Sequence, residues 1–303
     1  SGRLKLTDEV VVSRNSWSQN PVFRGSSLMW IEPGKSVTLA ELERSIVISS
    51  GNDASVAVAE HIAGSEAAFV DLMNQYAGEL GLEGTHFKNS HGLPQKDHVS
   101  TARDLAMMAS AAIRDHPERY SIYKELTYTY NNIKQYNRNH LLREDPSVDG
   151  LKTGYTREAG YGLVASAKRE GMRLISVILG SASPSSRKSE TRSLFSYGFR
   201  FFETRSLLSA GESLAEHRVW EGLEDFISIG TLDPVILTVA RKNVGIEVSF
   251  EVDDPLIAPL SKGQTVGVIS FARSGVVLYE APLYVLESVS SAGVFTRLWD
   301  SIA

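Results

Sequence analysis

The sequence predicts an α+β fold: an antiparallel sheet covered by helices, followed by a small all-β domain. Three observations carry this expectation. Residues 39–113 hold apolar side chains at helical spacing between polar caps. Residues 127–179 change to strand composition, and residues 186–202 return to helical spacing. Beyond about residue 204, short β-rich runs alternate with turn residues and no long helical pattern interrupts them.

Taken in order, the first 40 residues read as irregular, punctuated by Asn15, Asn20, Pro21, Gly25, Pro33 and Gly34. Leu39 to Ile48 has helical spacing and stops at Ser49-Ser50-Gly51-Asn52. Asp53 to Ile62 is a second helix, ending at Gly64, and Ser65 caps a third that runs to Gly81. Thr101-Ala102-Arg103-Asp104 is a capping-box pattern opening a helix to Ile113. Thr127 to Ile133, Tyr161 to Ala167 and Met172 to Leu179 read as strands, the last two joined by a turn at Arg169-Glu170-Gly171. Ser186 to Phe202 is helical. Val235–Val239, Ile246–Phe250, Val266–Phe271 and Val276–Leu286 are the β runs of the second domain. The expected organisation is a main domain over residues 1–205, a β-rich domain over 206–288, and the start of an amphipathic surface helix over 289–303. That helix rests on Val294, Phe295, Leu298, Trp299 and Ile302; a helix packing on its own domain fits the same spacing.

Composition removes several classes of function. Apolar residues make up 42% of the 303 and charged residues 22%, with a formal charge of −5. Acidic and basic residues are interspersed, so there is no basic stripe for nucleic acid. No run of about eighteen apolar residues spans a membrane. With no cysteine, disulfides and thiolate metal sites are excluded, and the seven histidines form no H-E-x-x-H pair. Neither a metal nor an organic cofactor is expected.

Two short motifs carry the chemistry. Ser50-Gly51-Asn52 lies between two expected helices, and Lys152-Thr153-Gly154 enters the strand-rich region. Each is weak alone. Ser50 and Asn52 fit a helix cap and turn, Lys152-Thr153-Gly154 fits an ordinary strand start, Arg187 fits a solvated charge, and His91 fits an exposed loop. The tyrosines at 120, 123, 128, 130 and 136 fit packing better than a binding platform. In this order, about a hundred residues apart, the two motifs resemble the last two parts of the S-x-x-K, S-x-N, K-T-G signature of penicillin-binding proteins and class A β-lactamases.

The flanking sequence makes the likeness close. Asn20-Pro-Val-Phe-Arg-Gly-Ser-Ser-Leu-Met29, Ser49-Ser-Gly-Asn-Asp-Ala54, His91-Gly-Leu93, Asn137-Arg-Asn139, Val148-Asp-Gly-Leu-Lys-Thr-Gly154 and Gly198-Phe-Arg-Phe-Phe-Glu203 resemble the penicillin-binding protein 5 group. These are D-alanyl-D-alanine carboxypeptidases of the bacterial cell envelope, in the serine β-lactamase/DD-peptidase superfamily. The resemblance runs along the whole chain and implies a serine-type carboxypeptidase that trims the terminal D-alanine of peptidoglycan stem peptides and is blocked by β-lactams. It implies that Ser50 relays protons to the leaving amine, that Asn52 holds the substrate amide and the catalytic lysine, and that Lys152 adds positive charge. It further implies that Thr153 and Gly154 bind extended peptide, that the Tyr155 N–H supplies half of an oxyanion hole, and that Arg187 holds the terminal carboxylate. Arg138 and His91 match other residues lining the family's site. Tyr155 stands where several relatives have histidine. A periplasmic location, peripheral to the inner membrane, also follows from the resemblance.

One departure is serious. The family's S-x-x-K, carrying the nucleophile, should precede S-x-N, and none does. Ser121-Ile122-Tyr123-Lys124 and Ser185-Ser186-Arg187-Lys188 match the pattern in the wrong places and are read as coincidences. The nucleophile is therefore expected upstream of Ser1, with two strands of the main sheet and the buried helix bearing it, on a preceding segment or a second chain. This chain alone is expected to be inactive. An endopeptidase or β-lactamase on the same fold, and a non-catalytic binding module for peptidoglycan peptides, are the alternatives.

Overall fold

Side-chain caps begin three of the main helices, as the polar residues before each apolar run require. The computed structural model describes residues 4–242 and 245–293, and the chain falls into two units, Ser1–Phe199 and Arg200–Ala303. In the first unit α1 (Leu39–Arg44) starts at a full capping box formed by Thr38 and Glu41, and continues as a wider π turn over Ser45–Ser49. α2 (Asn52–Ala63) follows Gly51. α3 (Glu66–Glu79) is capped by Ser65, whose hydroxyl accepts from the Ala68 N–H.

α4 (Ala102–Asp115) is capped by Thr101, but the expected capping box there is not closed. The Asp104 carboxylate turns instead to the Gly84 N–H at 2.9 Å and the Thr85 hydroxyl at 2.6 Å, pinning a distant loop. The first 40 residues are also more ordered than their punctuation implies. β1 (Glu9–Val11) pairs antiparallel with β2 (Ser36–Thr38), and Val10, Val12, Met29, Ile31 and Val37 are buried with Leu42 and Ile48 of the helical region.

After two short helices, α5 (Pro117–Tyr120) and α6 (Leu141–Glu144), comes the main sheet. Between those helices the single strand expected over 127–133 is a hairpin of β3 (Thr127–Tyr130) and β4 (Ile133–Tyr136). Asn131 and Asn132 both take positive φ at its tip, a conformation their short polar side chains tolerate. β5 (Val148–Thr156), β6 (Gly160–Arg169) and β7 (Met172–Ser181) form an antiparallel sheet in that order. The turn expected at 169–171 is present, with Glu170 and Gly171 at positive φ.

Strand alternation explains how helices cover this sheet. Leu163, Ala165 and Ala167 face Phe195 of α7 (Pro184–Phe201), while Val164, Leu151 and Ile175 face Ala109 and Ile113 of α4. Both outer strands keep an edge with no strand partner among the described residues. Beside β7, a groove of about 580 Å³ is lined by Val177, Ile178 and Leu179 of the strand, Ala102 of α4, and Ser189, Glu190, Ser193 and Leu194 of α7.

The second unit is all β among its described residues after α7. β8 (Phe202–Leu208) pairs with β11 (Val235–Ala240). β9 (Ser213–Trp220), β10 (Phe226–Gly230), β12 (Glu247–Val252), β13 (Leu256–Ile257), β14 (Thr265–Arg273) and β15 (Val276–Val285) make a sheet of order β12-β14-β15-β10-β9-β13. Ile229, Ile269, Phe271, Leu283 and Val285 form its core. Val289 and Ser291 bridge to Leu260 and Gly222, so these residues extend the β unit. The amphipathic helix expected from Val294 lies outside the described residues.

Candidate active site

The S-x-N motif is built from a helix end and a helix start. The π turn closes with Ser50 in the left-handed region (φ 63°, ψ 43°), its N–H donating to the Ser45 carbonyl. A non-glycine residue there is strained, and such strain collects at functional sites. Gly51 follows in extended conformation and Asn52 begins α2. A Cβ on Gly51 would collide with the Ser45 hydroxyl and press on the Met29 amide. Gly51→Ala is therefore expected to destabilise the first unit by about 1–3 kcal/mol through overpacking, read as a lowered thermal midpoint.

Asp53 anchors this turn from behind. Its carboxylate is fully buried and accepts the N–H groups of Met29 (2.8 Å), Trp30 (2.9 Å), Ile31 (3.3 Å) and Ala54 (2.9 Å). The Asn52 N–H donates to the Ser27 carbonyl at 2.9 Å. The segment after Asn20-Pro21-Val22-Phe23-Arg24 is thereby tied to the S-x-N turn. Burial holds the Asp53 carboxyl above its ordinary range, against the pull of those four amides. Asp53 carried no assigned role in the sequence reading. Its only signal there was an acidic residue in the first turn of a helix.

The sheet brings the second motif to the first. Lys152 Nζ donates to Ser50 Oγ at 2.8 Å and to its neighbour's carbonyl, Thr153 O, at 3.0 Å. Burial pushes the Lys152 amine down to about 8, and the charges of Arg138 and Arg187 push the same way. Arg138, Thr153 and Arg187 line one small pocket. Arg138 is itself exposed but stands between two buried asparagines. Asn137 donates to the Glu125 carbonyl at 3.0 Å and Asn139 to the Gly150 carbonyl at 3.0 Å, fixing the turn from both sides. Gly154 and Tyr155 continue β5 on the sheet's edge, both exposed.

His91 belongs to a neighbouring cluster. Its Nε2 is 3.7 Å from a Glu66 oxygen that also takes the Ser90 N–H and hydroxyl. Its ring meets Phe23 edge-on at 5.7 Å. Burial lowers the imidazole's proton affinity, with Glu66 opposing. His91 thus joins the segment around Phe23 to the loop that follows Asn89, and its contacts are with these groups rather than with Lys152.

The stray S-x-x-K matches have other work. Ser121 is exposed and donates to the Glu118 carbonyl at 2.8 Å. Ser185 is exposed, and Lys188 is held by Glu144 at 2.8 Å. The arrangement therefore holds a hydroxyl, a lysine of lowered proton affinity and two guanidinium groups converging at the end of an edge strand. Such a set has the chemistry to bind an anionic, extended chain and to pass a proton beside it.

Known proteins are similar to this chain along most of its length. The family profile described as D-alanyl-D-alanine carboxypeptidase matches residues 1–183, and that described as penicillin-binding protein 5, C-terminal domain, matches residues 202–291. The chain is 43% identical to D-alanyl-D-alanine carboxypeptidase DacC of Escherichia coli, covering 99% of this chain and 76% of that protein. It is 44% identical to DacA of the same organism, again covering 76% of that protein. Among solved structures, penicillin binding protein 5 from Haemophilus influenzae superposes with a TM-score of 0.86 at 39% identity, covering 96% of this chain and 85% of that one.

Proposed function

This chain belongs to the D-alanyl-D-alanine carboxypeptidase family, and on that premise we propose that its site removes the terminal D-alanine of peptidoglycan stem peptides through an acyl-serine intermediate. The observation that carries the reading is the 2.8 Å contact from Lys152 to Ser50, which joins two motifs 102 residues apart. Because the lysine donates, the hydroxyl proton of Ser50 is directed away from it, toward the leaving amine. Lys152, Arg138 and Arg187 hold positive charge where the substrate's carboxylate lies, Arg187 offering a rigid fork of donors. Asn52 holds the substrate amide, Thr153 and Gly154 take the peptide as an added strand, and the Tyr155 N–H serves the oxyanion. His91 acts at one remove, by fixing the segment around Phe23.

Neither Ser121 nor Ser185 bonds to Lys152, so neither internal S-x-x-K supplies the nucleophile in this reading. β7 keeps an edge with no strand partner among the described residues, beside an apolar groove between α4 and α7. The protein acts in the periplasm, against the inner membrane. That location rests on the family and on the spacing of Val294, Phe295, Leu298, Trp299 and Ile302; no helix of the described residues is long and apolar enough to cross a membrane.

Fluorescent penicillin tests both parts. The chain alone is expected to stay unlabelled on a denaturing gel, and covalent label is expected on a polypeptide carrying S-x-x-K once it is joined to or mixed with the chain. Label on the chain itself would overturn the assignment of the nucleophile and direct mapping to Ser50, Ser121 and Ser185. A joined protein that binds stem peptide yet never acylates would support the non-catalytic binding module instead.

A further inference from the structure

At the outer end of the sheet two tyrosines and an arginine come together. Tyr155 of β5 and Tyr161 of β6 are in register, and their rings stack at 4.2 Å with 26° between planes. On Tyr161 the Arg187 guanidinium lies 5.7 Å from the ring centroid, within cation–π range.

Arg187 is buried, and one of its nitrogens donates to two backbone carbonyls, Gly154 O at 3.2 Å and Gly162 O at 3.1 Å. The second carbonyl is presented by a bulge: Tyr161 pairs with Ser181, but Leu163 pairs with Ile178, so one extra residue of β7 lies between them. One nitrogen of the fork is thus committed to the sheet, which leaves its other donors for a ligand in the pocket that Arg187 lines with Arg138 and Thr153. Burial and the nearby Arg138 charge both disfavour a cation at Arg187. The electron-rich face of the Tyr161 ring, over which the guanidinium lies, offsets part of that cost.

We propose that Tyr161 is a positioning residue for Arg187, with Tyr155 as its outer shield, and that this stack sets the site's preference for a ligand ending in a free carboxylate over one ending in a neutral group. The inference rests on reading Arg187 as the carboxylate-binding group. An exposed guanidinium would spend its charge on water; one held against a ring and two carbonyls presents fixed donors to a single direction. Tyr155, 55% exposed, shields from water the face of the Tyr161 ring on which it stacks.

The test is the affinity ratio of N-acetyl-D-alanyl-D-alanine to its C-terminal amide, measured by NMR titration of this chain. Tyr161→Phe keeps the ring and should keep the ratio. Tyr161→Leu should lower it by about five- to tenfold, the size of a partly desolvated cation–π contact, mainly by weakening the acid. A Tyr161→Leu protein with native circular dichroism and an unchanged ratio would overturn the inference. Should that variant fail to fold, Tyr155→Leu, at an exposed position, should lower the ratio by about two- to threefold, and no change there overturns it equally. Arg187→Ala separates the two layers of the argument. A ratio that survives loss of Arg187 sinks the carboxylate reading itself, whereas a ratio lost in Arg187→Ala but kept in Tyr161→Leu sinks the positioning role alone.

Discussion

Replacing Asp53 by alanine is expected to cost the first unit about 4 kcal/mol, enough to leave it largely unfolded under mild denaturant. The side chain accepts four backbone N–H groups at 2.8–3.3 Å, three of them from consecutive residues Met29, Trp30 and Ile31. Met29 and Ile31 are fully buried, so water cannot replace the lost acceptor there. An unsatisfied buried donor costs about 1–3 kcal/mol, and two or three of them reach the expected figure. Asp53→Asn retains one acceptor oxygen but turns an NH₂ group toward an N–H, so its loss should be smaller, about 1–2 kcal/mol. Urea titration followed by tryptophan fluorescence gives the size, and faster hydrogen exchange at the Met29 and Ile31 amides gives the place. Equal stability of Asp53→Ala and the parent would show that the amides find other acceptors.

The sign of the pH effect follows from the same group. The folded carboxyl binds its proton more tightly than the unfolded one, because burial outweighs the amide bonds. Its contribution is fully present below the ordinary value of 3.8 and is lost as pH rises through the raised folded value. Ionised Asp53 is therefore retained at neutral pH at some cost. What it gives in return is a fixed path from Phe23 through residues 29–31 to the turn bearing Ser50.

This explains what could and could not be read from sequence. Helices α2, α3 and α4 announce themselves through spacing and through Ser65 and Thr101, since caps and apolar periods are local signals. The paired motifs at Ser50 and Lys152 were legible for a different reason: the chemistry demands particular residue types in a particular order. Contacts between distant residues left little trace. β1 and β2 have three residues each and lie 25 residues apart, too short for a period to show. Asp104 satisfies the capping-box pattern and yet bonds to Gly84 and Thr85, because tertiary packing offered it a half-buried loop amide and a hydroxyl. Tyr161 reads as one more aromatic in a strand until the fold brings both Tyr155 and Arg187 against its ring. The packing of His91 against Phe23 and Glu66 is likewise a contact between distant residues that no local signal carries.

Lys152 should show the opposite balance between stability and chemistry from Asp53's neighbours. Its amine falls from 10.5 in a free lysine to about 8, chiefly through burial and then through Arg138 and Arg187. Between those two values the unfolded chain binds a proton that the folded chain does not, so stability rises with pH across that window. Below about 8 the folded protein holds a charged ammonium that its surroundings disfavour. At about 1.4 kcal/mol per pH unit the full relief is at most about 3 kcal/mol; losing the bonds to Ser50 and Thr153 reduces what a substitution can recover. Lys152→Met is therefore expected to be more stable than the parent by about 1–2 kcal/mol at pH 7, with the gap closing by pH 10. In a protein that joins an S-x-x-K segment to this chain, the same change should slow acylation by a β-lactam by at least about a hundredfold. That loss removes both the charge opposite the carboxylate and the donor that orients Ser50. Denaturant midpoints at pH 7 and 10, set beside acylation rates, measure the two effects on one pair of proteins. A methionine variant that is both less stable at pH 7 and fully active would mean that Lys152 is a structural cation. A variant that is more stable and inactive is what a site strained for chemistry requires.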